Sequence, residues 1–236
     1  MFEPTVCEEV LCVSQPGGRW LSTGWNGGFA DADAAFNVSV PEGWEHTDLS
    51  AYARERRAQA GFTGSGPTLF TGVDMEHLRG ARLDGVVAFA TAGVSNPAAL
   101  PMEPSGEPSS PVEGPEAGTV NVILCTDRAL ADDAMATLLG VAVEAKTATL
   151  HAKTGFTGTT TDAVIVGADP AGEDATFTGS STPVGTAARA CVREAVSASL
   201  AARYAGNPDK PMPTSVADAK YGVTTTDRAT TFNPYR

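Results

Sequence analysis

The chain has 236 residues, 42% of them hydrophobic, which is enough for one large domain or two small ones with a substantial core. Acidic residues outnumber basic ones by 28 to 16, and the resulting net charge of −12 disfavours nucleic acid as a partner. No stretch reaches the roughly 18 unbroken apolar residues of a membrane helix, and the N-terminus lacks the features of a secretory signal. The sequence therefore predicts a soluble cytoplasmic protein without a membrane span.

The basic residues are mostly arginines, since only four of the 16 are lysines. An acidic surface poor in lysine is typical of proteins that work in strong salt, because salt screens the self-repulsion. The four cysteines form no C-x-x-C pair, which excludes a zinc ribbon or a thioredoxin-type site. Cys7, Cys12 and Cys125 lie in aliphatic surroundings, so we expect buried free thiols rather than a Cys7–Cys12 disulfide.

The first third of the chain reads as short strands joined by turns. Residues 9–14 and 19–23 have strand character, and the Pro-Gly-Gly segment at 15–18 predicts a hairpin turn between them. A glycine-rich loop at 24–28 follows, and 35–40 is the next predicted strand.

Further along, Thr47 and Asp48 can cap a helix that runs to about residue 60, and we interpret its arginine cluster at 54–57 as solvated surface. Residues 68–73 predict a strand. The apolar run at 84–95 is typical of a strand buried on both faces.

The second half predicts an α/β pattern. The best strand is 118–125, and a helix with an apolar stripe follows it from a cap at Asp127 to about Gly155. A short aliphatic strand at 163–166 precedes a helix capped by Thr182.

We therefore predict an α/β or α+β fold, a single domain over residues 1–205 with a mixed β-sheet packed by helices. A mobile proline-rich surface loop at about 100–117 and a C-terminal extension at 206–236 complete the predicted organisation.

The stretch 144–167 is the first candidate for a functional site. Its hydroxyl-rich loop at 157–161, and a second one at 178–182, offer backbone N–H groups and hydroxyls that can bind a carboxylate, a phosphate or an oxyanion. Turn formation is the commoner role of such residues, and Asp162 could equally brace the loop. The chain contains no P-loop, no G-x-S-x-G and no H-E-x-x-H pattern. The residues alone thus predict a polar Gly-Thr site without naming its reaction.

Six blocks resemble, in order, those of the adenosylcobinamide amidohydrolase family, and the resemblance extends from about residue 11 to 205 with the composition of a haloarchaeal member. One departure concerns the hydroxyl loop, where Thr160 stands in place of a glycine of the family pattern Gly-Thr-Gly-Thr-Asp. The blocks lie at 21–28, 92–97, 118–121, 143–147, 158–164 and 182–185.

The resemblance implies a hydrolase of corrinoid salvage, which cleaves the amide of adenosylcobinamide to give adenosylcobyric acid and 1-aminopropan-2-ol. Amide hydrolysis needs a nucleophile, an oxyanion site and a proton for the amine. Our hypothesis makes Asp162 or Glu144 the base that activates water or the Thr161 hydroxyl. Lys146 would stabilise the oxyanion or protonate the amine, and Asn121 would orient the carbonyl. Alternatively, Glu144 and Lys146 form a structural polar pair beneath the loop.

The corrinoid substrate is the expected partner. We expect no cofactor, while a metal requirement stays open in the sequence; the cluster at 74–77 has no ligand spacing typical of a metal site. A corrinoid carrier without hydrolysis, or an amidase or acyltransferase with another substrate, are the alternative functions. The residues proposed to contact the substrate are Asn26, Asn96, Asn121, Thr159, Thr160 and Thr182.

Overall fold

A computed structural model describes most of the chain, and its elements belong to one mixed main sheet, one small sheet and three long helices among these residues. The described residues are 2–41, 43–44, 48–104, 119–205, 211–219 and 221–235. The strands are β1 (Glu3–Cys7), β2 (Val10–Ser22), β3 (Gly28–Ser39), β4 (Thr68–Thr71), β5 (Arg79–Leu83), β6 (Val86–Ala92), β7 (Pro97–Ala99), β8 (Val120–Thr126), β9 (Gly158–Thr159), β10 (Ala163–Ala168) and β11 (Val223–Thr224). The helices are α1 (Leu49–Gln59), α2 (Asp132–Thr154) and α3 (Pro183–Tyr204).

The main sheet has the order β4-β3-β2-β10-β8-β6-β5, and β1 pairs with the outer part of β2. Its centre is parallel, because β8 and β10 are joined by the crossover helix α2. The flanking pairs β2–β10 and β6–β8 are antiparallel. The mixed α/β architecture predicted from the sequence is thereby confirmed.

The two faces of the central strands have different partners, because successive side chains of a strand point to opposite faces. Val120, Val122 and Leu124 of β8 belong to the core that α2 and α3 cover. Ile123 and Cys125 belong to a second core on the other face, which includes the fully buried Trp20 and Leu69. We call the first side the helix face and the second the strand face; the fully buried side chains of the strand face are Leu11, Val13, Trp20, Ala35, Leu69, Ile123, Cys125 and Ile165.

The strand face is covered by the sheet itself. The pairing of β2 with β3 shifts register between Ser14 and Gly18, which marks a β-bulge where the long strand bends. Asn121 of β8 consequently donates to Asn37 of β3 at 2.9 Å, although two strands lie between β8 and β3 in the sheet order. The half formed by β1 to β4 therefore folds over the face opposite the helices.

The predicted hairpin turn at 15–18 is wrong, because this segment is the bulge within β2. Gly17 has φ +67° and its N–H donates to Asp33 at 2.8 Å, so the glycine stays paired with β3 instead of reversing the chain. The reversal occurs at residues 23–27 instead, where Asn26 has φ +51°.

The predicted helix caps at Asp48 and Thr182 are confirmed, because each side chain accepts a hydrogen bond from the first turn of its helix. Asp48 accepts from Ala51 N–H at 2.9 Å at the start of α1, and Thr182 accepts from Gly185 N–H at 3.0 Å at the start of α3. The predicted cap at Asp127 is wrong, since α2 begins at Asp132 and the Asp127 N–H donates to Gly85 O. Strands β5 and β7 were not predicted.

The cysteines are all free among the described residues, as expected. Cys12, Cys125 and Cys191 are buried. The expectation that Cys7 is buried is wrong, because all five side chains of β1 lie at the surface. No helix in the described part of the chain is long and apolar enough to cross a membrane. Most of the predicted proline-rich loop, residues 105–118, lies outside the described residues.

The C-terminal extension, predicted to be partly irregular, contributes a strand in its described part. β11 pairs in parallel with β7, and β7 pairs on its other edge with β9. The result is a small three-stranded sheet, β11-β7-β9, in which β9 belongs to the hydroxyl loop.

Candidate active site

The candidate site lies at the end of the main sheet where β8 and β10 begin. The antiparallel neighbours β6 and β2 end there, since Ala92 pairs with Val120 and Ser22 pairs with Ile165. α2 runs back along the sheet after β8, so that its last turns reach the same end. It stops at Gly155, whose φ of +79° is a left-handed C-cap, and the loop 156–162 follows.

Asp162 is the centre of the loop's hydrogen bonds. Its Oδ1 accepts from Val120 N–H at 2.9 Å and from the Thr159 hydroxyl at 2.5 Å, and its Oδ2 accepts from Thr159 N–H at 3.1 Å. The Lys146 ammonium donates to the same Oδ2. Every direction around the carboxylate is thus occupied, which ties α2, β8 and the loop together.

Lys146 forms its ion pair with Asp162 and not with Glu144. Its side chain is buried, with 7% exposed, and that of Asp162 is 10% exposed. Glu144 instead pairs with Arg189 of α3 and is 58% exposed. Positions two apart on a helix point in nearly opposite directions, which explains why Glu144 and Lys146 have separate partners. The structure therefore brings Lys146 and Asp162 together and leaves Glu144 apart.

The outer part of the loop presents hydroxyls. Thr159 is buried, whereas Thr160 and Thr161 are exposed. Asn96, which is fully buried, donates from Nδ2 to the Thr160 hydroxyl at 2.6 Å and accepts from Thr160 N–H at its backbone carbonyl at 3.2 Å. Its Oδ1 has no hydrogen-bond partner among the described residues, and a buried unpaired acceptor of this kind is uncommon. Asn96 thus offers an acceptor beside two exposed hydroxyls.

Strand β7 holds the loop from the side. Pro97 pairs with Thr159 and Ala98 with Gly158, and the Ala98 carbonyl accepts from both the N–H and the hydroxyl of Thr157 at 3.1 Å. The loop is therefore fixed from below by Asp162 and laterally by β7. This role of residues 97–99 was missed in the sequence, where a three-residue strand carries no periodic signal.

Asn121 is 1% exposed and braces the fold. Its Nδ2 donates to Asn37 Oδ1 and to the Phe70 carbonyl, each at 2.9 Å, and its Oδ1 accepts from the Thr119 hydroxyl at 3.2 Å. Asn37 extends this hydrogen-bond network by donating from its Nδ2 to the Thr91 hydroxyl at 3.0 Å. The predicted need of this buried amide for partners is met entirely within the protein.

Asn26 and Thr182 lie away from the loop's hydrogen-bond network. Asn26 belongs to the β2–β3 turn, which adjoins the site because Thr23 exchanges hydrogen bonds with the backbone of Val164. Thr182 caps α3 at its far end, while Tyr204 at the other end of that helix bonds Val94 near the site. The structure thus places Asn26 next to the site, and Thr182 at the end of α3 that lies away from it.

A second polar cluster consists of Asp74, Glu76 and His77, whose ligand atoms lie within 4.8 Å of one another. The two acids are exposed, and the cluster is at the surface as expected. The loop around Asp162 is not among the metal-type clusters found in the described residues.

Comparisons with known proteins identify the family of the chain. The family model described as adenosylcobinamide amidohydrolase matches residues 4–208. The chain belongs to that family. As a member of the adenosylcobinamide amidohydrolase family it is an amidohydrolase, and the match includes the loop, α2 and β7 but ends before β11.

Two relatives of the family carry the same description. A Halobacterium salinarum protein is 51% identical over 236 residues, covering 99% of this chain and all of the relative. A Methanosarcina mazei protein is 35% identical over 147 residues, covering 62% of this chain and 67% of the relative. The Halobacterium relative agrees with the halophilic interpretation of the composition. No solved structure matches the chain significantly.

Proposed function

We propose that this amidohydrolase cleaves the amide between the aminopropanol arm and the corrin side chain of adenosylcobinamide. The products are adenosylcobyric acid and 1-aminopropan-2-ol, and the reaction belongs to corrinoid salvage in the cytoplasm. The observation that carries the proposal is the rigid hydroxyl loop 158–162 inside the family match. Both named relatives are adenosylcobinamide amidohydrolases.

The loop contains groups suited to the steps of amide hydrolysis. Thr160 and Thr161 face outward on a backbone that Asp162 fixes. Asn96, which is fully buried, supports this arrangement from inside the protein by donating from Nδ2 to the Thr160 hydroxyl at 2.6 Å. Such a prearranged set orients a substrate without reorganisation during the reaction.

For proton transfer we propose a relay from the Thr161 side of the loop to Asp162. The Thr159 hydroxyl donates to Asp162 Oδ1, so it can accept a proton from water or from the Thr161 hydroxyl and pass its own to the carboxylate. Lys146, paired with the other oxygen of Asp162, positions the carboxylate and offers a proton source for the leaving amine. Glu144 lies outside this relay, beside Arg189.

Pure protein incubated with adenosylcobinamide in high salt tests the proposal. We expect equimolar adenosylcobyric acid and 1-aminopropan-2-ol, measured by mass spectrometry. Tight binding without release of the amine would identify a corrinoid carrier instead, and the absence of both would indicate another amidase or acyltransferase. A parallel reaction with a chelator measures any metal requirement.

The variant Thr161→Val tests the loop within the same assay. We expect a loss of at least tenfold in kcat, because the change removes a hydroxyl while conserving shape. Thr137→Val is the matched control: Thr137 is a half-buried α2 residue whose hydroxyl donates to the Asp133 carbonyl in the preceding turn at 2.9 Å. Equal turnover of the two variants would contradict a role for Thr161.

A further inference from the structure

A cavity of about 400 Å³ opens between the β2–β3 turn and α1. The turn adjoins the candidate site, because Thr23 bonds Val164, two residues after Asp162. We call this space the arginine cavity; the lining residues that matter here are Ser22, Trp25, Asn26, Phe29, Arg54 and Arg57.

Two like charges line the arginine cavity. Arg54 and Arg57 are three positions apart on α1 and therefore share a helix face. Neither forms an ion pair with an acid in the described part of the chain, although the protein carries a net charge of −12. The interpretation of this arginine cluster as solvated surface does not explain why two neighbouring cations, without acidic partners among the described residues, line a cavity.

Arg57 is the better placed of the two. It donates to the Thr68 hydroxyl at 2.9 Å and lies over the Phe36 ring at 5.1 Å, so its guanidinium is fixed while most of its donors remain available. Burial, and then the neighbouring Arg54, lower the pKa of Arg57. An anion in the cavity would offset both causes of this lowered pKa. It would replace the water that burial removes from the Arg57 guanidinium and neutralise the repulsion between Arg57 and Arg54.

The rim of the arginine cavity is aromatic. Trp25 and Phe29 are large rings with 41% and 44% of their surface exposed. Exposed aromatic surface next to a fixed guanidinium suits a ligand that joins an anionic group to a broad apolar body. Arg19 lies over the Phe29 ring at 5.0 Å, and Trp25 packs against Phe70 with ring centroids 6.4 Å apart. A small free ion would not cover the part of the two rings that stays exposed.

The cation expected from the sequence to stabilise negative charge is engaged elsewhere. Lys146 lies on the helix face, where Asp162 neutralises it and only 7% of its side chain is exposed. The arginine pair, by contrast, lines open space at the same end of the sheet.

We propose that the arginine cavity binds a carboxylate attached to a large ring system, with Arg57 as the main contact. This inference rests on the proposed function, in which hydrolysis converts a neutral amide into the carboxylate of a corrinoid acid. Asn26 and the Trp25 ring then hold the corrinoid beside the carboxylate. The cavity makes the acid product a tighter ligand than the amide substrate, and hence an inhibitor.

Binding is tested without turnover. Chloride is exchanged for acetate at constant ionic strength, and adenosylcobyric acid is titrated separately. Because the chain has three tryptophans, the fluorescence difference between the wild type and Trp25→Phe reports the environment of Trp25. We expect saturable responses that weaken at least tenfold in Arg57→Met, less in Arg57→Lys, and not at all in Arg193→Met, an exposed arginine of α3. Circular dichroism of each variant checks that it is folded. Equal responses in Arg57→Met and Arg193→Met would overturn the proposal, as would a wild type that responds to neither probe.

Product inhibition, measured in a turnover assay, is the second test of the proposal. If the protein hydrolyses adenosylcobinamide, adenosylcobyric acid should inhibit the wild type competitively and Arg57→Met at least tenfold more weakly. Unchanged inhibition in Arg57→Met overturns the assignment of the cavity. If no corrinoid amide is hydrolysed, the proposed function fails, while the acetate titration still decides whether the cavity binds carboxylates.

Discussion

Removing either partner of the buried pair formed by Lys146 and Asp162 should destabilise the protein strongly. Both side chains are at most 10% exposed, so the remaining charge has little access to water. Loss of one partner of a buried pair typically costs about 3–5 kcal/mol. Lys146→Met belongs at the lower end, because Asp162 keeps three donors from Val120 and Thr159. Asp162→Asn should cost close to the upper end of this range. It leaves the buried Lys146 ammonium without a counter-charge and replaces one accepting oxygen of residue 162 with a donating NH₂ group.

Denaturant unfolding at fixed high salt measures these free energies, with Glu144→Gln as the matched control. Glu144 and its partner Arg189 are exposed at 58% and 40%, so their ion pair should contribute about 0–1 kcal/mol. The double variant Lys146→Met with Asp162→Asn should lose less than the sum of the single losses. A loss below about 1 kcal/mol in Asp162→Asn would refute the claim that this pair is a buried electrostatic link.

The same variants separate positioning from chemistry. Asp162→Asn should also lose turnover of adenosylcobinamide by at least tenfold, because both the relay and the loop depend on its oxygens. If Asp162→Asn and Glu144→Gln both keep full turnover, neither carboxylate is the base of the reaction.

Three further predictions concern thiols and the C-terminal strand. In the native protein, iodoacetamide should modify only Cys7, as read by peptide mass spectrometry, because the other three thiols are buried. Burial raises the pKa of Cys191 from its ordinary 9.0 to about 11, so the unfolded chain releases this proton first. The free energy of unfolding should therefore fall between pH 9 and 11 by up to ~1.4 kcal/mol per pH unit, and less in Cys191→Ala, by denaturant titration at each pH. Thr225→Pro removes the N–H that bonds Ala99 at 3.0 Å, and it should raise KM for the corrinoid at least threefold without changing the melting temperature, whereas Thr230→Pro in the exposed tail should change neither. An unchanged KM would show that β11 does not help to position the loop.

Local sequence signals predicted the elements whose determinants are local. Thr182 followed by Pro183 is a helix start in any context, and it is one here. The aliphatic run of β8 was equally clear, and its interrupting Asn121 was correctly expected to need hydrogen-bond partners. Which partners it has depends on the bend of β2, because only the folded-over half brings Asn37 within reach.

The candidate site was predictable as a segment but not as an arrangement. The Gly-Thr loop and Asp162 were identified from composition and family resemblance, whereas the choice between Glu144 and Asp162 as the partner of Lys146 depends on which helix face meets the loop. The arginine cavity was missed for the same reason. Arg54 and Arg57 look like surface residues in sequence, and the loop at 24–28 was predicted without any sign that α1 packs next to it.

The small sheet β11-β7-β9 also determines the order in which the molecule can assemble. Val223 pairs with Ala98, which lies 125 positions earlier, so this contact forms only after all the residues between the two strands have been synthesised. Two paired residues contribute few hydrogen bonds, and such a short edge opens at a low free energy compared with the central strands. Amide hydrogens near residues 223–225 should therefore exchange earlier than those of β8. A late-docking strand is thus also an early one to detach, and it is connected through β7 to the proposed catalytic loop.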